Sequence, residues 1–200
     1  MNFKQLKKDF LKKLSEELPD NLEYHNTDHT LSVLNSAERI AYSEKLSEEE
    51  MTILKTAALL HDCGFTTRYM KNEPEGCCIS KVVLPDYDYT KEEIQTICKM
   101  IMATAIPQNP QNKLEEILCD ADLDYLGGDI ESFFKTANNL RLELENHGKS
   151  YSEEEWLNFE LNFLKQHKYF TATQQKEKEP QKQRTIKKLE ELLAQTRKEE

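Results

Sequence analysis

Only five glycines and six prolines interrupt 200 residues, and nearly every long segment between them repeats apolar residues at three- and four-residue intervals. That spacing gathers apolar side chains on one face of an α-helix, and no alternating run competes with it as a strand. The expected fold class is all-α. Ser47 with Glu50, Thr90 with Glu93 and Ser152 with Glu155 each fit the capping box, in which a hydroxyl and a carboxylate satisfy the free amides of a first turn. These pairs predict helices at about 48–62, 91–106 and 153–167. Others are expected at about 2–18, at 29–45 after the breaker "LPDN", near 75–84 ending at Pro85, through "LEEILCDADL", and from Asp129 towards Glu145. The charged end of the chain keeps a thin apolar stripe, Ile186, Leu189, Leu192 and Leu193, which reads either as a packed helix or as a partner-binding tail. Residues 1–170 are therefore read as one helical domain, and 171–200 as a C-terminal helix packed on it or extending from it.

The 37 acidic residues outnumber the 27 basic ones, for a formal charge of −10. Such a surface is not built to lie along a nucleic-acid duplex or an anionic membrane. An anionic substrate would need something local to hold it, a metal or a few placed basic side chains. The five cysteines, Cys63, Cys77, Cys78, Cys98 and Cys119, contain no CxxC pair and suggest reduced thiols. No segment approaches the ~20 apolar residues of a membrane span, and the amphipathic start "MNFKQLKKDFLKKL" lacks a signal-peptide core. The expectation is a soluble, cytoplasmic protein.

Three short stretches stand out against this helical background. "YHNTDHT" places His25 and His29 four apart in a chain with five histidines. "AALLHDCGF" ends an apolar helix in His61 and Asp62, side by side, where a core helix needs partners for them. "ILCDADLDYLG" sets Asp120, Asp122 and Asp124 into an apolar run, and carboxylates there need a cation or donors nearby. Neutral imidazoles and carboxylates together suit a divalent first-row metal. His25 and His29 share a face only if one helix already includes both, and His61 and Asp62 diverge by about 100° on a helix, so both reach one ion only near its end.

In this order the three stretches resemble the HD superfamily of metal-dependent phosphohydrolases, over residues 20 to 130, and "YHNTDHT" is also similar to the opening motif of its cyclic-nucleotide phosphodiesterase branch. The resemblance implies an HD-type helical domain in which His29, His61, Asp62 and Asp122 hold one divalent ion, whether Mn, Fe, Co, Ni, Zn or Mg. It implies that His25 protonates the leaving oxygen; Asp122 is chosen as the fourth ligand through "CDADL", since spacing alone does not choose among the three aspartates, and either Asp122 or Asp120 would orient the attacking water. Between His61 and His147 there is no histidine, whereas two-metal members use further ones, and "MKNEPEGCCISK" and "MIMATAIPQ" stand in the corresponding places. A one-metal site follows.

The function so implied is hydrolysis of a phosphate ester of a small nucleotide-like substrate, a diester by the "YHN" motif, through water acidified by the ion. The alternative is a non-catalytic nucleotide-binding or signalling module that keeps the metal. Arg68 and Lys71 are candidates to hold a phosphate, while Glu73 and Glu75 read better as surface charge than as ligands. Trp156, Phe159 and Phe163 recur at helical spacing and read as core. Cys63 reads as a small buried residue, His167 as a partner of a helix C-terminus, and His147 has no assigned role. An amphipathic tail would also suit a homodimer.

Overall fold

The computed structural model describes residues 1–199, with side chains described through residue 197. Its described residues form ten α-helices and three 3₁₀ turns, with no strand, so the fold is all-α. All three capping boxes are present, with Ser47, Thr90 and Ser152 accepting from the backbone of Glu50, Glu93 and Glu155 while those glutamates accept in return. By contact the chain groups into two compact units, Met1–Leu123 and Asp124–Glu200.

The first unit holds α1 (Phe3–Glu17), α2 (Thr27–Ser43), α3 (Glu48–Leu60), α4 (Asn72–Val83), α5 (Lys91–Ala103) and α6 (Lys113–Asp122). α2, α3 and α6 pack on one another, and α5 covers α3, α4 and α6. The seam is built from Val33, Leu34, Ala37 and Ile40 of α2, Leu54, Ala57 and Ala58 of α3, and Leu118 and Ala121 of α6, all buried in one cluster. Alanines at these contacts let helix axes approach closely, which brings the start of α2 and the ends of α3 and α6 together. The structure adds 3₁₀ turns at Cys63–Thr66 and Leu84–Tyr87, where a loop and a helix end were expected. α4 begins at Asn72, three residues earlier than the periodicity suggests, because Pro74 sits in its first turn, where a missing N–H costs no helical bond.

The second unit holds α7 (Ile130–Asn146), α8 (Glu153–Gln166), α9 (Ala172–Glu177) and α10 (Glu179–Glu199). α10 packs on α8, burying Ile186, Leu189 and Leu193, so the contacts group it with α7 to α9, whereas the sequence places its division at 170/171. α9, six residues capped by Thr171, is too short to announce itself by periodicity. Lys178 and Gln174 hold the Asp124 carboxylate at 2.9 and 2.6 Å. Trp156 is buried, whereas Phe159 is 38 % exposed and stacks beside it.

Glu160 of α8 is 98 % removed from solvent by its 2 % exposure, and burial pushes its carboxyl up to about 7. Arg141 is the cation that borders the same cavity. The folded chain therefore holds this proton at pH values where the unfolded chain has lost it, so stability is full below about pH 4 and falls as pH rises towards 7. The loss is about 3 kcal/mol at most. Urea unfolding of the second unit, followed by Trp156 emission, should show this decline in the wild type and lose most of it in Glu160→Gln.

Candidate metal centre

Asn26 caps α2, its side-chain oxygen accepting from the backbone of Asp28 and His29 at 3.0 and 3.1 Å. His29 thus sits in the first turn, while His25 lies before the cap, outside the helix. His61 caps the C-terminal end of α3 with helical backbone angles, and Asp62 then departs from them (φ −105°, ψ 9°). That departure turns two adjacent side chains towards one point. Asp122 is the last residue of α6.

At that point Nε2 of His29, Nε2 of His61 and a carboxylate oxygen of Asp122 lie within 4.8 Å of one another. The two nitrogens are 3.2 Å apart, and Oδ1 of Asp122 is 3.2 Å from His29 and 3.5 Å from His61. Oδ2 of Asp62 stands 3.3 and 3.0 Å from the same nitrogens. Two ligand atoms each about 2.1 Å from one ion are about 3.0–3.4 Å apart at octahedral to tetrahedral angles, so these separations fit the edges of a coordination shell. Nδ1 of His61 is 2.8 Å from the Ala58 carbonyl. A carbonyl only accepts, so Nδ1 carries a hydrogen and Nε2 is the nitrogen that faces the cluster, offering a lone pair whenever the ring is neutral. Oδ2 of Asp62 is buried and accepts no well-directed hydrogen bond. An oxyanion and a nitrogen lone pair facing each other in a buried place call for a cation between them.

The electrostatics agree. Burial opposes the charged form of every member, yet the carboxylates of Asp122 and Asp62 raise His29 above the ordinary histidine range, and the Asp62 charge leads in raising His61 well above it. Against the same burial, His61 and His29 hold Asp62 well below the usual carboxylate range, and bonds from His29 and His61 lower Asp122. Positive charge is favoured where the four side chains meet. A divalent ion of the N/O-binding kind fits this donor set.

Around the cluster lie residues to which the sequence reading assigned no part. Asn72 of α4, 9 % exposed, donates from Nδ2 to Oδ1 of Asp62 at 3.2 Å and so steadies the other oxygen towards the cluster. Gly64 makes this approach feasible, because a Cβ there would stand 1.9 Å from the Asn72 carbonyl oxygen. His25 stacks on Phe65 with centroids 4.2 Å apart and meets Tyr24 edge-on at 4.6 Å. Tyr24 also lies against His29, whose ring is 6.0 Å from His25. The glycine in "HDCGF" was the one visible sign of the close approach, whereas nothing local marked Asn72.

Of the remaining candidates, Asp120 is fully buried, and Asp124 is held by Lys178 and Gln174 in the second unit. Arg68 is exposed with Nε 3.6 Å from Glu75, and Lys71 is exposed at a left-handed turn (φ 61°) just before α4. Cys63 is buried, and burial pushes its thiol up. His167 caps α8, and its carbonyl accepts from Lys182 at 2.8 Å. His147 caps α7. A cavity of about 1230 Å³ in the first unit is lined by Lys81, Lys91, Lys99 and Met102 but by none of the cluster residues.

Residues 26–124 match the model of the HD domain family. The chain thus carries an HD domain of the metal-dependent phosphohydrolase superfamily. It is also similar to an uncharacterized protein of Clostridium beijerinckii (strain ATCC 51743 / NCIMB 8052), 36 % identical over 81 residues, which are 39 % of this chain and 51 % of that protein. The match therefore spans about half the length of that relative. No solved structure matches the chain. The family match ends at residue 124, so α7 to α10 fall outside it.

Metal affinity should respond to this geometry. Asp122→Ala should lose the ion that the wild type retains through dialysis, read by elemental analysis. Asn72→Ala should keep it but bind about 10–100-fold more weakly in competition with a chromogenic chelator.

Proposed function

We propose that this protein is a metal-dependent phosphohydrolase that cleaves a phosphate ester of a nucleotide-like small molecule, in the first place a phosphodiester. The observation that carries the reading is a pair of imidazole nitrogens 3.2 Å apart, both 3.0–3.5 Å from an oxygen of Asp62 and an oxygen of Asp122, within an HD domain. His29, His61, Asp62 and Asp122 would hold one divalent ion, drawn from Mn, Fe, Co, Ni, Zn and Mg. Such an ion supplies Lewis acidity towards a phosphoryl oxygen and lowers the pKa of water from about 15.7 towards neutrality.

The chain's own side chains divide the rest of the work. His25, which stacks on Phe65 and meets Tyr24 edge-on, would deliver a proton to the departing oxygen. Asp122 keeps 14 % of its side chain exposed while Asp120 is fully buried, so Asp122 is the carboxylate that can meet and orient water at the site. Lys71 and Arg68, exposed on the segment that links the His-Asp turn to α4, would approach the substrate's phosphate, Arg68 exchanging its Glu75 partner for it. The free cysteines of the described chain support a reducing, cytoplasmic setting, and no described helix is long and apolar enough to cross a membrane.

The test is hydrolysis of a panel of cyclic and linear phosphodiesters and of nucleoside monophosphates, with each divalent metal in turn. Turnover that needs metal, vanishes in Asp122→Ala and falls by about 10²–10⁴ in kcat in a metal-replete His25→Ala is the expected result. Saturable nucleotide binding without turnover would instead identify a non-catalytic nucleotide-binding module.

A further inference from the structure

Within the second unit a cavity of about 360 Å³ opens between α7, α8 and α10, with Phe134, Ala137, Arg141, Trp156, Glu160 and Leu189 in its wall. Its size falls in the range of small-ligand sites, about 300–1,000 Å³. One member of that wall is chemically incomplete. Glu160 is 2 % exposed, and neither of its carboxylate oxygens has a hydrogen-bond partner. Folded proteins satisfy nearly all buried polar groups, so such an exception points to a missing donor.

The nearby cation does not supply it. Arg141 places one terminal nitrogen 2.7 Å from Glu153, the other 2.8 Å from the Tyr151 carbonyl, and Nε 3.3 Å from Glu145, with its guanidinium 5.9 Å from the Trp156 ring. Three of its five N–H hydrogens are committed to those partners, and none reaches Glu160. What remains is a buried carboxyl without a donor, in a wall that combines Phe134, Trp156 and Leu189 with the polar side chains of Asn138, Arg141 and Glu153. A neutral alcohol would satisfy one lone pair, whereas an ammonium group satisfies both the lone pairs and the charge. Burial holds the Glu160 carboxyl up near 7, so a cation that binds there near neutrality draws off its proton and leaves an ion pair.

We propose that this cavity is a binding site for a small organic amine, whose ammonium group donates hydrogen bonds to Glu160 while its apolar body packs against Trp156 and Phe134. The site lies outside the residues matched to the HD domain and does not depend on the hydrolase reading. Trp156 is the chain's one tryptophan, so its emission reports directly on the cavity.

The experiment is a titration of the full chain, at about pH 8 where the probes are still ammonium ions, with methylamine, n-butylamine and benzylamine, and with benzyl alcohol as the neutral counterpart. A saturable change in Trp156 emission with benzylamine is expected, at least about tenfold tighter than with benzyl alcohol and weakened by at least about tenfold in Glu160→Gln. Ala137→Leu, which fills the cavity from α7, should abolish it with helical circular dichroism retained. Asp122→Ala, which empties the metal centre, should leave it unchanged. The absence of a saturable change with all three amines overturns the proposal, as does equal affinity for benzyl alcohol in the wild type. The alcohol comparison stands even where a variant fails to fold.

Discussion

Two imidazole nitrogens stand 3.2 Å apart in a place shielded from water, each 3.0–3.5 Å from an oxygen of Asp62 and an oxygen of Asp122, and the first unit has to hold them there. Helix packing provides the restraint. α2, α3 and α6 meet through Ala37, Ala57, Ala58 and Ala121 and through branched side chains that are almost wholly buried. Each helix contributes a ligand from an end rather than from its middle: His29 in a first turn, His61 and Asp62 at and beyond a last turn, Asp122 at a final residue. Ends are where backbone direction can change, and the turn of Asp62 out of helical geometry lets neighbours in sequence share a target. The same ends are polar by nature, so the centre forms where the helices have least apolar surface to give up.

Much of this was legible in the sequence because its causes are local. The three capping boxes mark helix starts through contacts spanning three residues, and each is formed as written. The His-Asp pair at the end of an apolar helix announced itself by the mismatch between its polarity and its surroundings. The choice among Asp120, Asp122 and Asp124 was not legible from spacing. It depends on partners far along the chain: Asp124 is bound by Gln174 and Lys178, fifty and fifty-four residues away, while Asp122 faces histidines from two other helices. Asn72 was silent for the same reason, since its only signature is a bond to Asp62 across ten residues of irregular chain. α9 escaped because six residues hold less than two turns of pattern.

The two units differ in what they leave unsatisfied. In the first, burial is opposed by paired charges, so the carboxylates stay ionised and the imidazoles favour a proton. In the second, Glu160 meets burial without a partner, and its carboxyl moves in the opposite direction. Lys182, equally buried, shows how the same unit settles a charge when partners are at hand, with the His167 carbonyl and Glu179 both at 2.8 Å and Tyr169 beneath its ammonium group.

The bond between Nδ1 of His61 and the Ala58 carbonyl stays inside the last turn of α3. The helix that supplies this ligand also aims it. A ring locked by its own turn has given up its rotational freedom during folding, before any ion arrives, so coordination need not spend free energy on ordering it. The connecting loops can then vary in length and composition without turning the imidazole away, which makes the end of α3 a self-contained module that a lineage can carry from one set of surroundings to another.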